Sequence, residues 1–192
     1  MNLPNKLTVL RILLIPVFVV FASMPWLPGA YLAAFLVFTA ASITDYLDGH
    51  IARKRGMVTD FGKFADPLAD KMLTTTAFIY MLWDGACHPL VLVLVIAREF
   101  AVSGVRMVAA SSPEGVVIAA NKWGKIKTVV QMVAIIAYYL LAGVQALLPS
   151  WLDFTYWILL GSNILCWAVA VITVFSGVLY IWGNRRFISN VK

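Results

Sequence analysis

Cysteine, histidine and charge are all scarce in this chain. Its 192 residues include two cysteines, Cys87 and Cys166, and two histidines, His50 and His88. The cysteines have neither metal-ligand spacing nor the pattern of a disulfide framework, which leaves them as small apolar fillers. Neither histidine belongs to a recognisable constellation. Charged residues make up 12% of the chain, against about 25% in an average soluble protein. Hydrophobic residues reach 62%, against about 45–50% in soluble domains. Together these values exclude an ordinary soluble domain. Strict polar–apolar alternation is also missing, which excludes a transmembrane β-barrel.

What remains is an all-α, polytopic integral membrane protein, read as one domain over 1–192. Apolar runs at or near the roughly 20 residues of a helical span predict six membrane helices over 7–24, 29–52, 61–83, 87–110, 123–147 and 151–183. Pro25 and Pro28 break the first from the second. Asp84 and Gly85 end the third, Ser111–Gly115 the fourth, and Pro149 and Ser150 separate the last two. Leu3–Lys6 is expected as a short juxtamembrane segment along the membrane surface. The first run is long for a secretory signal and carries Arg11, so it reads as an uncleaved first helix.

The few charges are placed unevenly. Lys6 and Arg11 begin helix one. Arg53, Lys54, Arg55, Lys63 and Lys71 surround the second connection, and Lys122, Lys125 and Lys127 the fourth. Arg185, Arg186 and Lys192 form the tail. The connections near 25–28, 84–86 and 148–150 contain no Lys or Arg. By the positive-inside rule, six spans then leave both termini in the cytoplasm. The net charge of +6 is mostly topology, with some left over for an anionic ligand.

The stretch from Asp45 to Lys71 carries five carboxylates and five Lys or Arg residues between two apolar runs. Asp45 and Asp48 are three residues apart, Asp66 and Asp70 four, so each pair shares a helix face. Gly49 and Ala52 fall on the stripe of the first pair and Gly62 on that of the second. If the two helices pack across their short connection, four carboxylates converge. Such a cluster at membrane depth repels itself and needs a cation. Oxygen ligands with no cysteine or histidine among them point to hard divalent ions, Mg²⁺ or Mn²⁺. Four carboxylates can hold two ions, an arrangement used for displacement at phosphorus. Gly49 and Ala52 let a bulky ligand approach the backbone, and Arg53 suits a phosphate clamp. Asp60 reads as a turn or helix N-terminal residue.

The pattern Asp45-x₂-Asp48-Gly49-x₂-Ala52-Arg53-x₈-Gly62-x₃-Asp66-x₃-Asp70 resembles the signature of the CDP-alcohol phosphatidyltransferases, at all eight positions. The resemblance implies a six-helix membrane enzyme, typically homodimeric. It moves the phosphatidyl group of CDP-diacylglycerol to an alcohol at the cytoplasmic face, releasing CMP. It further implies that Asp45, Asp48 and Asp66 bind the metals and that Asp70 is a metal ligand, the general base, or both. Gly49, Ala52, Arg53 and Gly62 would receive the CDP moiety.

A phosphorylated acceptor needs cations of its own. Arg98 and Arg106 lie eight residues apart, about 80° apart in azimuth, so they could flank one cleft. Glu99, next to Arg98, points about 100° away and is not an obvious partner. Lys125 and Lys127 fall where helix five begins, but two residues apart they do not share a face. With Lys122 they also serve the positive-inside rule. These segments and the leading LPNKLTVLR resemble the glycerol-3-phosphate-using bacterial branch of the family. That resemblance assigns Arg98, Arg106, Lys125 and Lys127 to the acceptor phosphate, and Asn5, Thr8 and Arg11 to the nucleotide side. It places the protein in the bacterial cytoplasmic membrane. Transfer to another alcohol, such as an inositol phosphate, is the same-family alternative. A divalent-cation transporter is the rival of a different class. It expects polar residues along a route through the bilayer, whereas these acids stay on one side.

Overall fold

The computed structural model describes residues 3–55, 60–111, 118 and 121–185, with side chains described for 5–44, 67–111, 118 and 121–185. The described residues form six helices: α1 (Leu3–Ala22), α2 (Ala30–Arg55), α3 (Asp60–Trp83), α4 (Pro89–Ala110), α5 (Lys122–Gln145) and α6 (Thr155–Gly183). Three of them, over Asn5–Ala22, Lys122–Gln145 and Thr155–Gly183, are long and apolar enough to cross a membrane. α2 has a shorter apolar stretch, Ala30–Thr44. α3 carries Asp60, Lys63, Asp66, Asp70 and Lys71 in its first half, and Arg98, Glu99 and Arg106 interrupt α4.

Leu3–Lys6 differs from expectation. It is not a separate juxtamembrane segment but the opening of α1. Pro4 is no obstacle there, because the first turn of a helix has no internal acceptor for its N–H groups. α3 ends as Asp84 and Gly85 predict. Gly85 takes a positive φ of 79°, and the N–H groups of Gly85 and Ala86 donate to the carbonyls of Leu82 and Met81 at 3.1 and 2.8 Å. This is the Schellman arrangement, which favours glycine because a Cβ is strained at that φ. α4 starts under a cap that local pattern did not reveal. His88 Nδ1 accepts from the Leu90 N–H at 3.2 Å, ahead of Pro89.

The chain divides into two compact units, Met1–Ala86 with Ile135–Leu160, and Cys87–Ala134 with Gly161–Lys192. In the first, α1 packs against α2 and α3, and α2 touches α3. Alanines 22, 30, 34, 41, 69 and 77 are all buried, which lets helix backbones approach closely. A Cβ on Gly143 would lie 2.7 Å from the backbone nitrogen of Leu32, so α5 and α2 meet there without a side chain between them. Aromatic rings fill the remaining space. Phe18 packs edge-on to Tyr139 at 5.2 Å, and Tyr139 edge-on to Tyr138 at 5.0 Å. In the second unit, Val102, Val105 and Tyr180 form a core to which Ile118 and Ile181 add. Ile164, Val171 and Val178, seven residues apart along α6, remain exposed, as an outward face in lipid would be.

Candidate functional site

The first group of site residues lies along α2 and α3. Asp45 and Asp48 are one helical turn apart on α2, followed by Gly49, Ala52 and Arg53; Gly62, Asp66 and Asp70 lie on α3. Asp60 opens α3, as expected. The side chains of Asp45, Asp48, Gly49, Ala52, Arg53, Gly62 and Asp66 lie outside the described residues. Asp70 is half-buried, and its backbone carbonyl accepts from the Thr74 hydroxyl at 3.0 Å. Along the helical backbone each pair of aspartates keeps a spacing of three or four residues. A set made only of carboxylates has the chemistry to fit a hard divalent ion.

Asn5, Thr8 and Arg11 follow a three-residue spacing along α1, with Asn5 half-buried and Thr8 and Arg11 both at 0% exposure. A guanidinium this deep requires compensating negative charge or hydrogen bonds. α1 packs on α2 and α3, the two helices that carry the aspartates.

The cationic group lies on α4, α5 and α6. The Arg98 Nη1 and the Lys127 Nζ both donate to one oxygen, Oε1 of Glu99, at 3.1 and 2.6 Å. The side chains of Lys127, Arg98 and Glu99 are 3, 12 and 24% exposed. Among the described residues, two cations therefore share one carboxylate, an excess of positive charge. The Arg98 Nε is buried with no hydrogen-bond partner among the described residues. A donor left in that state is a candidate for an anionic ligand.

Two glycines make room for Arg98. A Cβ on Gly177 would sit 2.9 Å from its Cγ, and one on Gly124 would sit 3.1 Å from its Nη2. Gly124 is also where α5 is capped: its N–H donates to the Asn121 Oδ1 at 2.7 Å. Arg106 takes a different setting. Its Nε donates to the Tyr180 hydroxyl at 3.1 Å, and its guanidinium lies 5.5 Å from that ring's centroid. Lys125 is exposed, whereas Lys127 is buried, as two residues apart on a helix requires.

Of the four predicted acceptor-binding cations, the structure joins Arg98 and Lys127 and gives Arg106 and Lys125 separate settings. Glu99 is the correction. Neighbouring residues on a helix do not face each other, yet Lys127 from another helix holds the Glu99 carboxylate where the long Arg98 side chain can bend to it. Tyr180, Gly124 and Gly177 were also not foreseen. Their roles arise from contacts between helices, which no single-helix periodicity encodes.

The profile of the CDP-alcohol phosphatidyltransferase family matches residues 1–175. A Bacillus subtilis protein named CDP-diacylglycerol–glycerol-3-phosphate 3-phosphatidyltransferase is 40% identical, covering 95% of each chain. Proteins of the same name from Rickettsia felis and Pseudomonas fluorescens are 36 and 35% identical. The alignments cover 97% of this chain and 97% of the Rickettsia protein, and 98% of this chain and 89% of the Pseudomonas protein.

Proposed function

The chain belongs to the CDP-alcohol phosphatidyltransferase family, and we propose that it transfers the phosphatidyl group of CDP-diacylglycerol to glycerol 3-phosphate. The products are phosphatidylglycerophosphate and CMP. The acceptor rests above all on full-length relatives that carry the name of this reaction. The Arg98–Glu99–Lys127 cluster supports it, because its excess positive charge and open guanidinium donor suit a phosphate monoester.

Asp45, Asp48, Asp66 and Asp70 would hold two divalent ions, Mg²⁺ or Mn²⁺, which when bound neutralise charge on the diphosphate and on departing CMP. Gly49, Ala52 and Gly62 leave space for the CDP group, and Arg53 clamps its phosphate. Asn5, Thr8 and Arg11 of α1 line the nucleotide side. Arg98 and Lys127, with Arg106 and Lys125, hold the acceptor phosphate. Asp70 takes the proton of the attacking hydroxyl as oxygen bonds to the phosphorus that carries diacylglycerol. The bond from that phosphorus to CMP breaks, and CMP leaves with the electron pair.

In this reading the chain is one domain of six spans in the bacterial cytoplasmic membrane, acting as a homodimer with its site and both termini in the cytoplasm. The charge pattern supports this orientation. Within the first unit, Pro25, Asp84, Gln145 and Thr155 line one cavity, so the α1–α2, α3–α4 and α5–α6 connections share an end. Those are the connections without Lys or Arg.

The test is to incubate purified protein with CDP-diacylglycerol, Mg²⁺ and a panel of alcohols, and to follow CMP. Release with glycerol 3-phosphate alone is the expected result. Release with an inositol phosphate instead, or with no acceptor, would overturn the assignment.

A further inference from the structure

At the end of the first unit that lacks Lys and Arg there is a cavity of about 270 Å³. Pro25, Ala142, Ala146, Ile158 and Leu159 make it largely apolar. Its polar end is built from Asp84, Tyr31 and Tyr138. The Tyr138 hydroxyl donates to the Asp84 Oδ2 at 2.7 Å, and Tyr31 also hydrogen-bonds the carboxylate. No Lys or Arg pairs with Asp84 among the described residues. Gln145, also in the wall, is already committed: its amide donates to the Leu152 carbonyl at 3.0 Å and accepts from the Phe154 N–H at 3.0 Å. The polar end is therefore a half-buried carboxylate with no counter-cation among the described residues, flanked by two aromatic rings whose centroids are 6.1 Å apart.

We propose that this cavity binds a small organic ammonium group, held between the Asp84 carboxylate and the rings of Tyr31 and Tyr138. Three considerations select that class. A carboxylate beside aromatic faces is the environment that attracts alkylammonium ions. One carboxylate with two phenols is too few strong oxygen donors for Ca²⁺ or Mg²⁺, which need six or more ligands in all. The apolar walls suit the carbon substituents of an amine and reject a bare hydrated ion. Burial also raises the Asp84 carboxyl above its ordinary range despite the opposing hydrogen bonds from Tyr138 and Tyr31. A bound cation would relieve that penalty. The cavity is smaller than the roughly 300–1,000 Å³ of pockets for drug-sized ligands, which limits the group to headgroup size. The amine could come from a lipid headgroup or from solution.

The full-chain protein is tested in two arms. In detergent, Tm is followed against tetramethylammonium chloride, with sodium chloride at matched ionic strength as control. In nanodiscs, phosphatidylglycerol alone is compared with phosphatidylglycerol plus phosphatidylethanolamine, and retained lipid is counted by native mass spectrometry. Saturable protection by tetramethylammonium identifies a soluble amine. Selective retention of phosphatidylethanolamine without it identifies a headgroup. Either response should weaken about tenfold or more in Asp84→Asn, which removes the charge. It should also weaken in Ala146→Phe, which fills the cavity and leaves Asp84 in place. CMP release by both variants should match the parent, showing that they fold. No response above the sodium and phosphatidylglycerol controls, or an undiminished response in both variants, would overturn the proposal.

Discussion

The Lys127 ammonium sits 2.6 Å from the Glu99 Oε1, the same oxygen that accepts from Arg98. Lys127 is almost fully buried, so its charge relies on polar partners, of which this carboxylate is one. Glu99→Gln should lower stability by about 2 kcal/mol, since it takes the shared negative charge away from two close cations. Adding Lys127→Met should restore most of the lost Tm, because it removes the repulsion. It should not restore kcat/KM for glycerol 3-phosphate, because the cation itself is gone. A double variant that recovers both would show that Lys127 is only structural.

Asp70 has the proton-accepting role in the proposed reaction. Asp70→Asn should reduce CMP release by about 10²–10⁴-fold, the usual worth of a positioned general base, while binding of CDP-diacylglycerol stays measurable. Chelation of divalent metal should abolish turnover in the parent, and Mg²⁺ or Mn²⁺ should restore it. Normal turnover by Asp70→Asn would remove the base assignment.

Elements and partners were legible to different degrees, for physical reasons. Long apolar runs are local, and so is the Asp84–Gly85 stop, because a glycine with positive φ closes a helix within two residues. The apolar run predicts a last helix starting at 151, but α6 begins at Thr155. Gln145 holds the connection open by bonding Leu152 and Phe154 on both sides of Asp153, a contact of seven to nine residues that periodicity does not reveal. The aspartates stood out because their spacing lies within single helices. Glu99 with Lys127, Arg106 with Tyr180, and Asp84 with Tyr138 did not, because each pair joins segments far apart in the chain.

Arg106 and Tyr180 can be separated by substitution. Arg106→Ala should raise the KM for glycerol 3-phosphate about tenfold, and that for CDP-diacylglycerol much less. Tyr180→Phe keeps the ring under the guanidinium but removes the hydroxyl that accepts from Nε. Its effect on the same KM should be about fivefold or less, the worth of one hydrogen bond. Equal changes in both KM values for Arg106→Ala would place Arg106 outside the acceptor pocket.

Gly143 and Gly177 should respond differently to the same methyl group. On Gly143 it meets the Leu32 backbone nitrogen at 2.7 Å. Backbone cannot step aside, so Gly143→Ala should destabilise by about 1–3 kcal/mol, more than the roughly 1 kcal/mol that alanine returns in helix propensity. On Gly177 the methyl meets the Arg98 Cγ at 2.9 Å, near the root of a side chain that Glu99 holds at its far end. Gly177→Ala should therefore lower Tm by less than Gly143→Ala, because a side chain shifts where backbone cannot, and raise the KM for glycerol 3-phosphate by moving Arg98. Thermal unfolding and initial rates, measured on both variants, separate the two outcomes.

Asp84 gives a pH dependence with a defined sign. Burial raises its carboxyl above the ordinary value of 3.8, and the hydrogen bonds from Tyr138 and Tyr31 offset this only in part. The folded state thus holds its proton to higher pH than the unfolded state. Between the two pKa values the folded state binds more protons, so stability falls as pH rises. The contribution of Asp84 is complete below pH 3.8 and is lost as pH climbs through the raised folded value. Asp84→Asn cannot titrate, and the amide oxygen can still accept from Tyr138. The difference in stability between the parent and Asp84→Asn should therefore drift in favour of the variant as pH increases above 3.8, and level off once the parent carboxyl is ionised. Denaturant unfolding of both proteins across that range, in the same detergent, measures the drift. A difference that stays flat, or that moves in favour of the parent, would mean that the Tyr138 and Tyr31 hydrogen bonds outweigh burial at this site.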